Sequence, residues 1–227
     1  MDVDAEVRLL KEIFEPFAVD ANGSVPDGRV AAVLVLLHKT EDAWSVLLTV
    51  RSQHLRRHPG EVCFPGGMKE DDDENVVRTA LRESLEEVGL PEDFVRVVTT
   101  LKPMRNRGGI VIYPVVSVLA RPFQPCSSSE VDRCFWVPLE EFLSAENHSS
   151  MYFHSNVEVH SFAVHGTNVF GFTSFVCVLI AAIVFNRVPQ FPVAIFANTE
   201  LSPREAIANA LVFGIHGYSA MVQQNKL

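Results

Sequence analysis

The hydrophobic and polar positions along the chain change period several times, between the alternation typical of strands and the 3.6-residue spacing typical of helices. Helical spacing over residues 6–17 predicts a short N-terminal helix. Residues 29–38 and 43–51 have strand character and are joined by a short polar stretch, which predicts a hairpin. Two further strands are predicted at 94–101 and 110–119. The pattern alone indicates a mixed α/β protein and leaves its topology open.

Residues 77–88 form a strongly amphipathic helix. Wound at 3.6 residues per turn, they divide into an acidic side with Glu83, Glu86 and Glu87 and an apolar side with Val77, Leu81, Leu85 and Val88. Carboxylates held this close raise one another's pKa unless a cation is present, and hard oxygen ligands suit Mg²⁺ or Mn²⁺. Glutamate pairs are also common on solvated helix faces, so the neighbouring sequence decides between a surface and a divalent-metal site.

The residues around this helix belong to a longer motif. Gly66 and Gly67 precede the helix, which ends in the run Arg-Glu-Ser-Leu-Glu-Glu-Val-Gly-Leu over residues 82–90. The motif resembles the signature box of the Nudix hydrolases, a family that cleaves a nucleoside diphosphate linked to another group. The resemblance implies that Glu83, Glu86 and Glu87 hold metal ions or act as bases. It also implies catalytic roles for Glu83, as proton acceptor or bridging ligand, and for Arg82, which would orient the carboxylates.

The loop between Gly67 and the helix departs from the box by one residue. Counting forward from Gly67 places the first acidic position of the box at Asp73, whereas counting back from Arg82 places it at Glu74. The loop therefore carries one extra residue, and the sequence leaves open which carboxylate fills this position. The acidic run that contains both is itself typical of a solvated loop before a helix N-terminus.

A second motif lies directly upstream. Residues 47–67 contain Leu-Leu-Thr-Val-Arg-Ser, then a spaced arginine and glycine, then Phe-Pro-Gly-Gly. This arrangement resembles the motif of the coenzyme A diphosphatase branch of the Nudix hydrolases, and it implies that Arg51, Arg56, Gly66 and Gly67 bind substrate. The arginines and histidines of this stretch would form a cationic patch suited to a phosphate-rich ligand. A single basic run, taken alone, is most often a solvated loop. The match to a family motif at several positions favours substrate binding instead.

Together the two resemblances imply a reaction. The chain is expected to be a phosphoric anhydride hydrolase that uses Mg²⁺ or Mn²⁺ to cut coenzyme A and acyl-coenzyme A into 3′,5′-ADP and 4′-phosphopantetheine or its acyl form. One alternative is another nucleoside diphosphate derivative, such as NADH or ADP-ribose. A second is a non-catalytic coenzyme A binding module, which the intact set of Glu83, Glu86 and Glu87 disfavours. The sequence decides neither the preferred acyl chain nor the oligomeric state.

The fold implied by the resemblance is the Nudix α/β/α sandwich, with a mixed sheet and a loop–helix metal site. The helix of the box would cover one side of the sheet and a C-terminal helix the other. We expect an N-terminal helix and linker over residues 1–28, the Nudix hydrolase domain over 29–200, and a C-terminal helix and tail over 201–227. Residues 166–185 contain no charge, so a membrane span must be weighed. The apolar part is short for a bilayer, and we predict a buried helix instead.

Composition narrows the remaining possibilities. The net charge of −9 and the pI near 5.3 argue against a nucleic-acid partner, which would require a basic face. The four cysteines lack zinc-like spacing, and the histidines at 148, 154, 160 and 165 lack the i, i+4 pairing of a metal-binding helix. Glu130 could lend a carboxylate to the metal site, but a structural role is the stronger expectation.

The ends of the sequence bear on location. The N-terminal residues are acidic and resemble neither a secretory signal nor an Arg-rich presequence. The last residues, Asn225-Lys226-Leu227, resemble the Ser-Lys-Leu peroxisomal address, with Asn225 departing from the usual small residue. We therefore expect recognition by a peroxisomal import receptor, with the cytosol or mitochondrion as the alternative location.

Overall fold

A computed structural model of the protein describes residues 2–23, 28–41, 43–106, 108–153 and 157–212. Its α-helices are α1 Val3–Phe14, α2 Val76–Val88, α3 Gly171–Phe185 and α4 Pro203–Val212. Its strands are β1 Ala18–Val19, β2 Val30–Lys39, β3 Trp44–Arg51, β4 Val62–Cys63, β5 Gly66–Met68, β6 Val95–Leu101, β7 Met104–Arg105, β8 Val111–Leu119, β9 Val131–Pro138, β10 His148–Phe153, β11 Val157–Val164 and β12 Thr167–Phe170.

Within these residues the first nine strands form one mixed sheet. Its main order is β1-β6-β8-β2-β3-β4, with β5 paired to β2, β7 to β8 and β9 to β3. The pairing of β2 with β8 is parallel, and the other pairs in this sheet are antiparallel. The predicted hairpin of β2 and β3 and the two predicted strands that became β6 and β8 are confirmed. A separate sheet of three antiparallel strands, β10-β11-β12, follows.

The sheet separates two hydrophobic cores. Alternate residues of a strand point to opposite faces, and Leu47 of β3 accordingly joins the core beneath α2 while Leu48 joins the core beneath α1 and α3. The three-stranded sheet contributes Phe162 to the second core. The layers of the predicted α/β/α sandwich, with the helix of the box on one side and a C-terminal helix on the other, are therefore confirmed.

The uncharged segment of the sequence forms β12 and α3. Side chains from Thr173 to Ile183 are buried in the core, as predicted for this segment. Among the described residues, no helix has both the length and the apolar character that a membrane crossing requires. The expected domain boundaries stay predictions, and the tail from residue 213 to 227 lies outside the described residues.

Helix α2 is rotated relative to the predicted apolar side. Leu85 is 54 % exposed, so its assignment to that side was wrong. The buried face is instead centred on Ala80, Ser84 and Val88. Ser84 can be buried because its Oγ donates to the Ala80 carbonyl oxygen at 2.7 Å, which satisfies its hydroxyl inside the helix. The rotation brings Glu87 toward the sheet and places Leu85 in solvent.

Candidate active site

The end of β5 brings two glycines against the acidic side of α2. β5 pairs with β2, and Gly66 has a φ of +151°, a backbone conformation that favours glycine. A Cβ on Gly66 would lie 2.3 Å from the Ala32 carbonyl oxygen. A Cβ on Gly67 would lie 2.4 Å from the carboxylate carbon and Oε1 of Glu83. Both positions require glycine for close approach, one against backbone and the other against a predicted catalytic side chain.

Helix α2 has defined ends that fix the direction of its acidic side. The Asn75 side chain accepts hydrogen bonds from the backbone N–H groups of Val77 and Arg78, at 3.0 and 3.1 Å, and caps the N-terminus. At the C-terminus Gly89 is left-handed, with φ +70°, and its N–H bonds the Leu85 carbonyl oxygen. Hydrogen bonds therefore close the helix at both ends.

Arg82 makes the most contacts in the site. Its Nε and Nη2 donate to the two carboxylate oxygens of Asp73 at 3.0 and 2.9 Å. Its Nη1 donates to Glu83 Oε1 at 3.0 Å, and Nη2 also reaches the Met68 carbonyl oxygen at 3.1 Å. The hydrogen bonds from Arg82 hold the pKa of Asp73 well below its usual range. Arg82 thus links the glycine loop, the helix and a predicted catalytic carboxylate.

The ambiguity of the loop is resolved by burial. Asp73 is buried and bonded to Arg82, whereas Glu74 is exposed. The extra residue of the loop is therefore accommodated after Asp73, between it and the helix. Asp73 occupies the position that faces the arginine of the motif.

Glu83 is partly buried at the centre of the acidic side. Burial raises the pKa of its carboxyl above the ordinary value, the charge of Arg82 opposes this, and the charges of Glu86 and Glu130 add to it. Arg82 binds one oxygen, Oε1, and leaves Oε2 available to another partner. The carboxylate is thus held by one oxygen at a fixed place over Gly67.

Glu87 lies deeper than the sequence suggested. It is only 5 % exposed, although it belongs to the acidic side of an amphipathic helix. Its Oε2 accepts a hydrogen bond from the Gly66 backbone N–H at 3.0 Å. Burial raises its pKa to about 7, opposed by the Gly66 hydrogen bond and increased by the charge of Glu83. A carboxylate in this state is suited to bind a cation or to exchange a proton near neutral pH.

Glu86 differs from its two neighbours. Its side chain is 60 % exposed, and its Oε2 lies 3.6 Å from Arg82 Nη1. In the part of the chain that the structure describes, no three His, Cys, Asp or Glu side chains already stand together as a metal-binding group. Glu83 and Glu86 turn toward Arg82, and Glu87 turns toward Gly66.

The donor set nevertheless fits Mg²⁺ or Mn²⁺. It consists of carboxylate oxygens, the ligands these ions prefer. The mutual charge of Glu83 and Glu87 raises the pKa of Glu87, and the charge of Glu86 raises that of Glu83, so a bound cation would relieve an existing repulsion.

The predicted cationic patch is only partly assembled beside these carboxylates. Arg51, at the end of β3, is close enough for its charge to lower the pKa of Glu87. Its Nε is buried without a hydrogen-bond partner in the described part of the chain. Arg56 is exposed on the following loop. His58 on the same loop pairs with Glu61 at 2.9 Å.

Glu130, for which a structural role was the stronger expectation, lies close to the acidic side of α2. Its charge raises the pKa of both Glu83 and Glu87, which indicates that it lies near them. Its carbonyl oxygen accepts a hydrogen bond from the Ser52 N–H at 2.8 Å, next to Arg51. The pairing of β3 with β9 produces this proximity, and no local pattern around Glu130 could have signalled it.

Three further side chains near the site were assigned no role by the sequence. The Cys63 thiol lies 3.2 Å from Thr49 Oγ1, and the Cys134 thiol has a pKa raised to about 11, mainly by burial. Both thiols are affected by the charge of Glu87. The hydroxyl of Thr79 bonds Asp73 inside the loop. Cys63 on β4 and Cys134 on β9 are both register partners of Thr49 on β3, so their common location follows from the sheet.

The histidines do not join this site. His148 Nε2 lies 3.0 Å from His160 Nδ1, and the His148 ring stacks on Phe191 with centroids 3.6 Å apart. Burial lowers the pKa of both histidines. His154 lies outside the described residues. The pair belongs to the packing of the three-stranded sheet, on the other side of the main sheet from Glu87.

Comparisons with known proteins agree with this arrangement. The Nudix domain family matches residues 28–154. A Caenorhabditis elegans protein named peroxisomal coenzyme A diphosphatase is 43 % identical over 166 residues, which cover 71 % of this chain and 71 % of that protein. A Mus musculus protein of the same description is 36 % identical over 204 residues, covering 84 % and 83 %. An Arabidopsis thaliana protein named as a mitochondrial Nudix hydrolase is 33 % identical over 192 residues, covering 80 % and 67 %.

Proposed function

The chain belongs to the Nudix hydrolase family, and on this premise we propose that it cleaves the diphosphate bond of coenzyme A and its acyl esters. The products are 3′,5′-ADP and 4′-phosphopantetheine or its acyl form. The observation that carries the proposal is the likeness, over most of the chain, to two relatives that are both named coenzyme A diphosphatases. The upstream motif at residues 47–67 gives independent support.

The proposed metal ligands are Glu83, Glu86 and Glu87. When bound there, Mg²⁺ or Mn²⁺ would neutralise diphosphate oxygens and lower the pKa of a water molecule. The buried position of Glu87 makes its carboxylate the least hydrated of the three, and therefore the one whose charge depends most on a neighbouring cation. Gly66 holds that carboxylate by one oxygen and leaves the other free.

Glu83 is proposed to accept the proton of the attacking water. Arg82 Nη1 holds Oε1, so Oε2 is the oxygen that can take the proton. Burial raises the pKa of Glu83, which makes it a better proton acceptor than an exposed glutamate. Arg82 is not placed as an acid or base, because its contacts to Asp73 and Glu83 keep its guanidinium charged.

Arg51 and Arg56 are the proposed phosphate ligands. The buried Nε of Arg51 has no protein acceptor among the described residues and is a free donor for a phosphate oxygen. Arg56 is exposed and would have to meet a more distant phosphate of the substrate. Gly66 and Gly67 are proposed to let the diphosphate approach the backbone closely, because neither has a side chain in the way.

The arginine assignments can be tested with truncated substrates. Arg51→Ala and Arg56→Ala should each lower kcat/KM for coenzyme A by about tenfold or more, the loss of a charge-assisted hydrogen bond. Arg8→Ala, on the exposed face of α1, is the matched control and should change nothing. An equal loss on a diphosphate substrate that lacks the 3′-phosphate would assign these arginines to the diphosphate or the fold rather than to coenzyme A.

Another nucleoside diphosphate derivative is the alternative substrate class. The family as a whole cleaves such compounds, and the carboxylate site by itself does not distinguish among them. A non-catalytic coenzyme A binding module is disfavoured, since a binding module gains nothing from crowding Glu83 and Glu87 into a partly buried, mutually repelling pair. Coenzyme A, acyl-coenzyme A, NADH and ADP-ribose, each assayed with Mg²⁺ for products, separate these possibilities.

A peroxisomal location is proposed with the function. It is supported by the names of the two relatives. The resemblance of Asn225-Lys226-Leu227 to a peroxisomal address stays a prediction, because these residues lie outside the described part of the chain. The plant relative named as mitochondrial keeps the alternative open. A fluorescent protein that carries only the last dozen or so residues should become punctate and coincide with a peroxisomal marker. A diffuse or mitochondrial signal would contradict the role of this tripeptide.

A further inference from the structure

Thr79 is fully buried although it lies on the polar side of α2. Residues three and four positions apart share one side of a helix, so Thr79 lies on the same side as Arg82 and Glu83. The glycine loop that ends in Asp73 covers it. A buried hydroxyl on a polar side needs a partner, because leaving it unpaired is costly.

The partner is the Asp73 carboxylate. Thr79 Oγ1 lies 2.9 Å from Asp73 Oδ2 and 3.3 Å from the Asn75 carbonyl oxygen. A threonine hydroxyl has one hydrogen, and the charged and nearer acceptor is the stronger one. The Glu70 backbone N–H also donates to Asp73 Oδ2, at 2.9 Å. Thr79 and Glu70 therefore both hold Oδ2 of the Asp73 carboxylate, independently of Arg82.

The fixed carboxylate determines where the guanidinium of Arg82 lies. Arg82 binds Asp73 through Nε and Nη2, and the guanidinium is planar. Once two of its nitrogens are held, the direction of the third, Nη1, is set. Nη1 is the group that donates to Glu83 Oε1 at 3.0 Å. The contacts form a continuous chain from Thr79 through Asp73 and Arg82 to Glu83.

We propose that Thr79 is a positioning residue of this hydrolase, which holds Glu83 in place through Asp73 and Arg82 without touching the substrate. The proposal rests on the proposed function for its catalytic consequence. The hydrogen-bonded chain from Thr79 to Glu83 does not depend on that function, and it can be measured without substrate or metal. It also assigns a role to the loop with the extra residue, since Thr79 and Arg82 together fasten this loop to the helix.

The test compares two buried hydroxyls of the same helix. Thr79→Val removes the hydroxyl and keeps the shape, and Thr79→Ser keeps the hydroxyl. Ser84→Ala is the matched control, because Ser84 Oγ donates to the Ala80 carbonyl oxygen of the same helix on the core side. Thr79→Val should lower kcat by about tenfold, the cost of one hydrogen bond to a charged group. KM for coenzyme A should be unchanged, and Thr79→Ser and Ser84→Ala should retain the parent kcat.

A second readout requires no catalysis. Hydrogen exchange of the Arg82 Nε–H, followed by NMR in the metal-free protein, should be slow in the parent, Thr79→Ser and Ser84→Ala, and about tenfold faster in Thr79→Val. Mn²⁺ binding, measured by electron paramagnetic resonance, should weaken in Thr79→Val alone. Should Thr79→Val not fold, Thr79→Cys, with a weak donor of similar size, makes the same comparison.

Parent-like kcat and parent-like Arg82 exchange in Thr79→Val would overturn the proposal, even if its melting temperature fell. An equal loss of kcat in Ser84→Ala would also overturn it, because helix stability would then explain both. If the parent hydrolyses none of the candidate substrates, the proposed function fails. The exchange and Mn²⁺ measurements still decide whether Thr79 holds Arg82 and the carboxylates in place.

Discussion

Substitution of Gly67 by alanine separates the geometry of the site from the stability of the fold. The new Cβ would lie 2.4 Å from Glu83 Oε1, whereas ordinary contact begins at 3.4 Å. The difference, 3.4 minus 2.4, means that the Glu83 carboxylate must retreat by about 1 Å. Because Arg82 holds the same oxygen at 3.0 Å, that retreat breaks or lengthens the hydrogen bond. A displacement of this size at a catalytic group is expected to lower kcat by about 100-fold.

The same substitution should leave the fold nearly unchanged. Gly67 does not have a positive φ, and the atoms in its way belong to the end of a flexible side chain. The lower entropy of the unfolded chain offsets part of any cost, by about 0.4–1 kcal/mol. Gly66→Ala is the matched comparison, since its Cβ would meet the Ala32 backbone oxygen at 2.3 Å and its φ is +151°. That variant should lose several degrees of melting temperature.

The assay pairs turnover with thermal unfolding for both variants. Gly67→Ala should melt near the parent temperature and hydrolyse coenzyme A about 100-fold more slowly at saturating Mg²⁺. Gly66→Ala should melt clearly lower. If Gly67→Ala kept near-parental kcat, the position of Glu83 over Gly67 would not matter for catalysis, and the reasoning would be refuted.

Three further predictions concern stability. Burial raises the pKa of Glu87 to about 7, above its ordinary 4.5. The metal-free parent should therefore lose stability relative to Glu87→Gln as the pH rises from 4.5 to 7. Chemical denaturation in the presence of a chelator checks this, and parallel stability curves for the two proteins would contradict it. Burial lowers the pKa of His148 and His160, so the parent should lose stability as the pH falls below about 6.5, and melting of His160→Leu should depend less on pH. Leu81→Ala should lower the free energy of unfolding by about 2–5 kcal/mol and Leu85→Ala by less than about 0.5 kcal/mol, because only Leu81 is buried. Urea unfolding measures both, and equal losses would contradict the rotation of α2.

The layers of the fold could be predicted because their patterns are local. Two apolar runs joined by a polar stretch predicted the hairpin of β2 and β3, and an uncharged run predicted the buried α3. The rotation of α2 could not be predicted from periodicity. A helical wheel counts Leu85 as apolar, but it does not record that Ser84 satisfies its own hydroxyl and can therefore take the buried position.

The carboxylates of the site were predictable as a set, whereas their individual environments were not. Glu83, Glu86 and Glu87 are close in sequence, so one helix brings them together. The burial of Glu83 and Glu87 depends on β5, which bonds Glu87 through Gly66 and lies against Glu83 through Gly67. Glu130 comes from a distant strand connection, and only the pairing of β3 with β9 brings it near.

The acidic residue of the loop before α2 could not be identified from the sequence either. Counting residues left Asp73 and Glu74 as equal candidates for one position. The choice depends on which side chain can accept hydrogen bonds from Arg82, Thr79 and the Glu70 backbone at once, and Asp73 does so. Asp73 and Glu74 are neighbours in sequence, but their side chains point in different directions. The spacing of residues in the motif does not show which of the two faces Arg82.

The most direct test of the account is the hydrolysis of coenzyme A by the purified parent protein and its Glu83→Gln variant, with products identified by mass spectrometry. The parent should release 3′,5′-ADP and 4′-phosphopantetheine in equal amounts only when Mg²⁺ or Mn²⁺ is present. Glu83→Gln should do so at least about 100-fold more slowly while melting near the parent temperature. Near-parental turnover by Glu83→Gln, or a parent that cleaves NADH or ADP-ribose and leaves coenzyme A intact, would contradict the account.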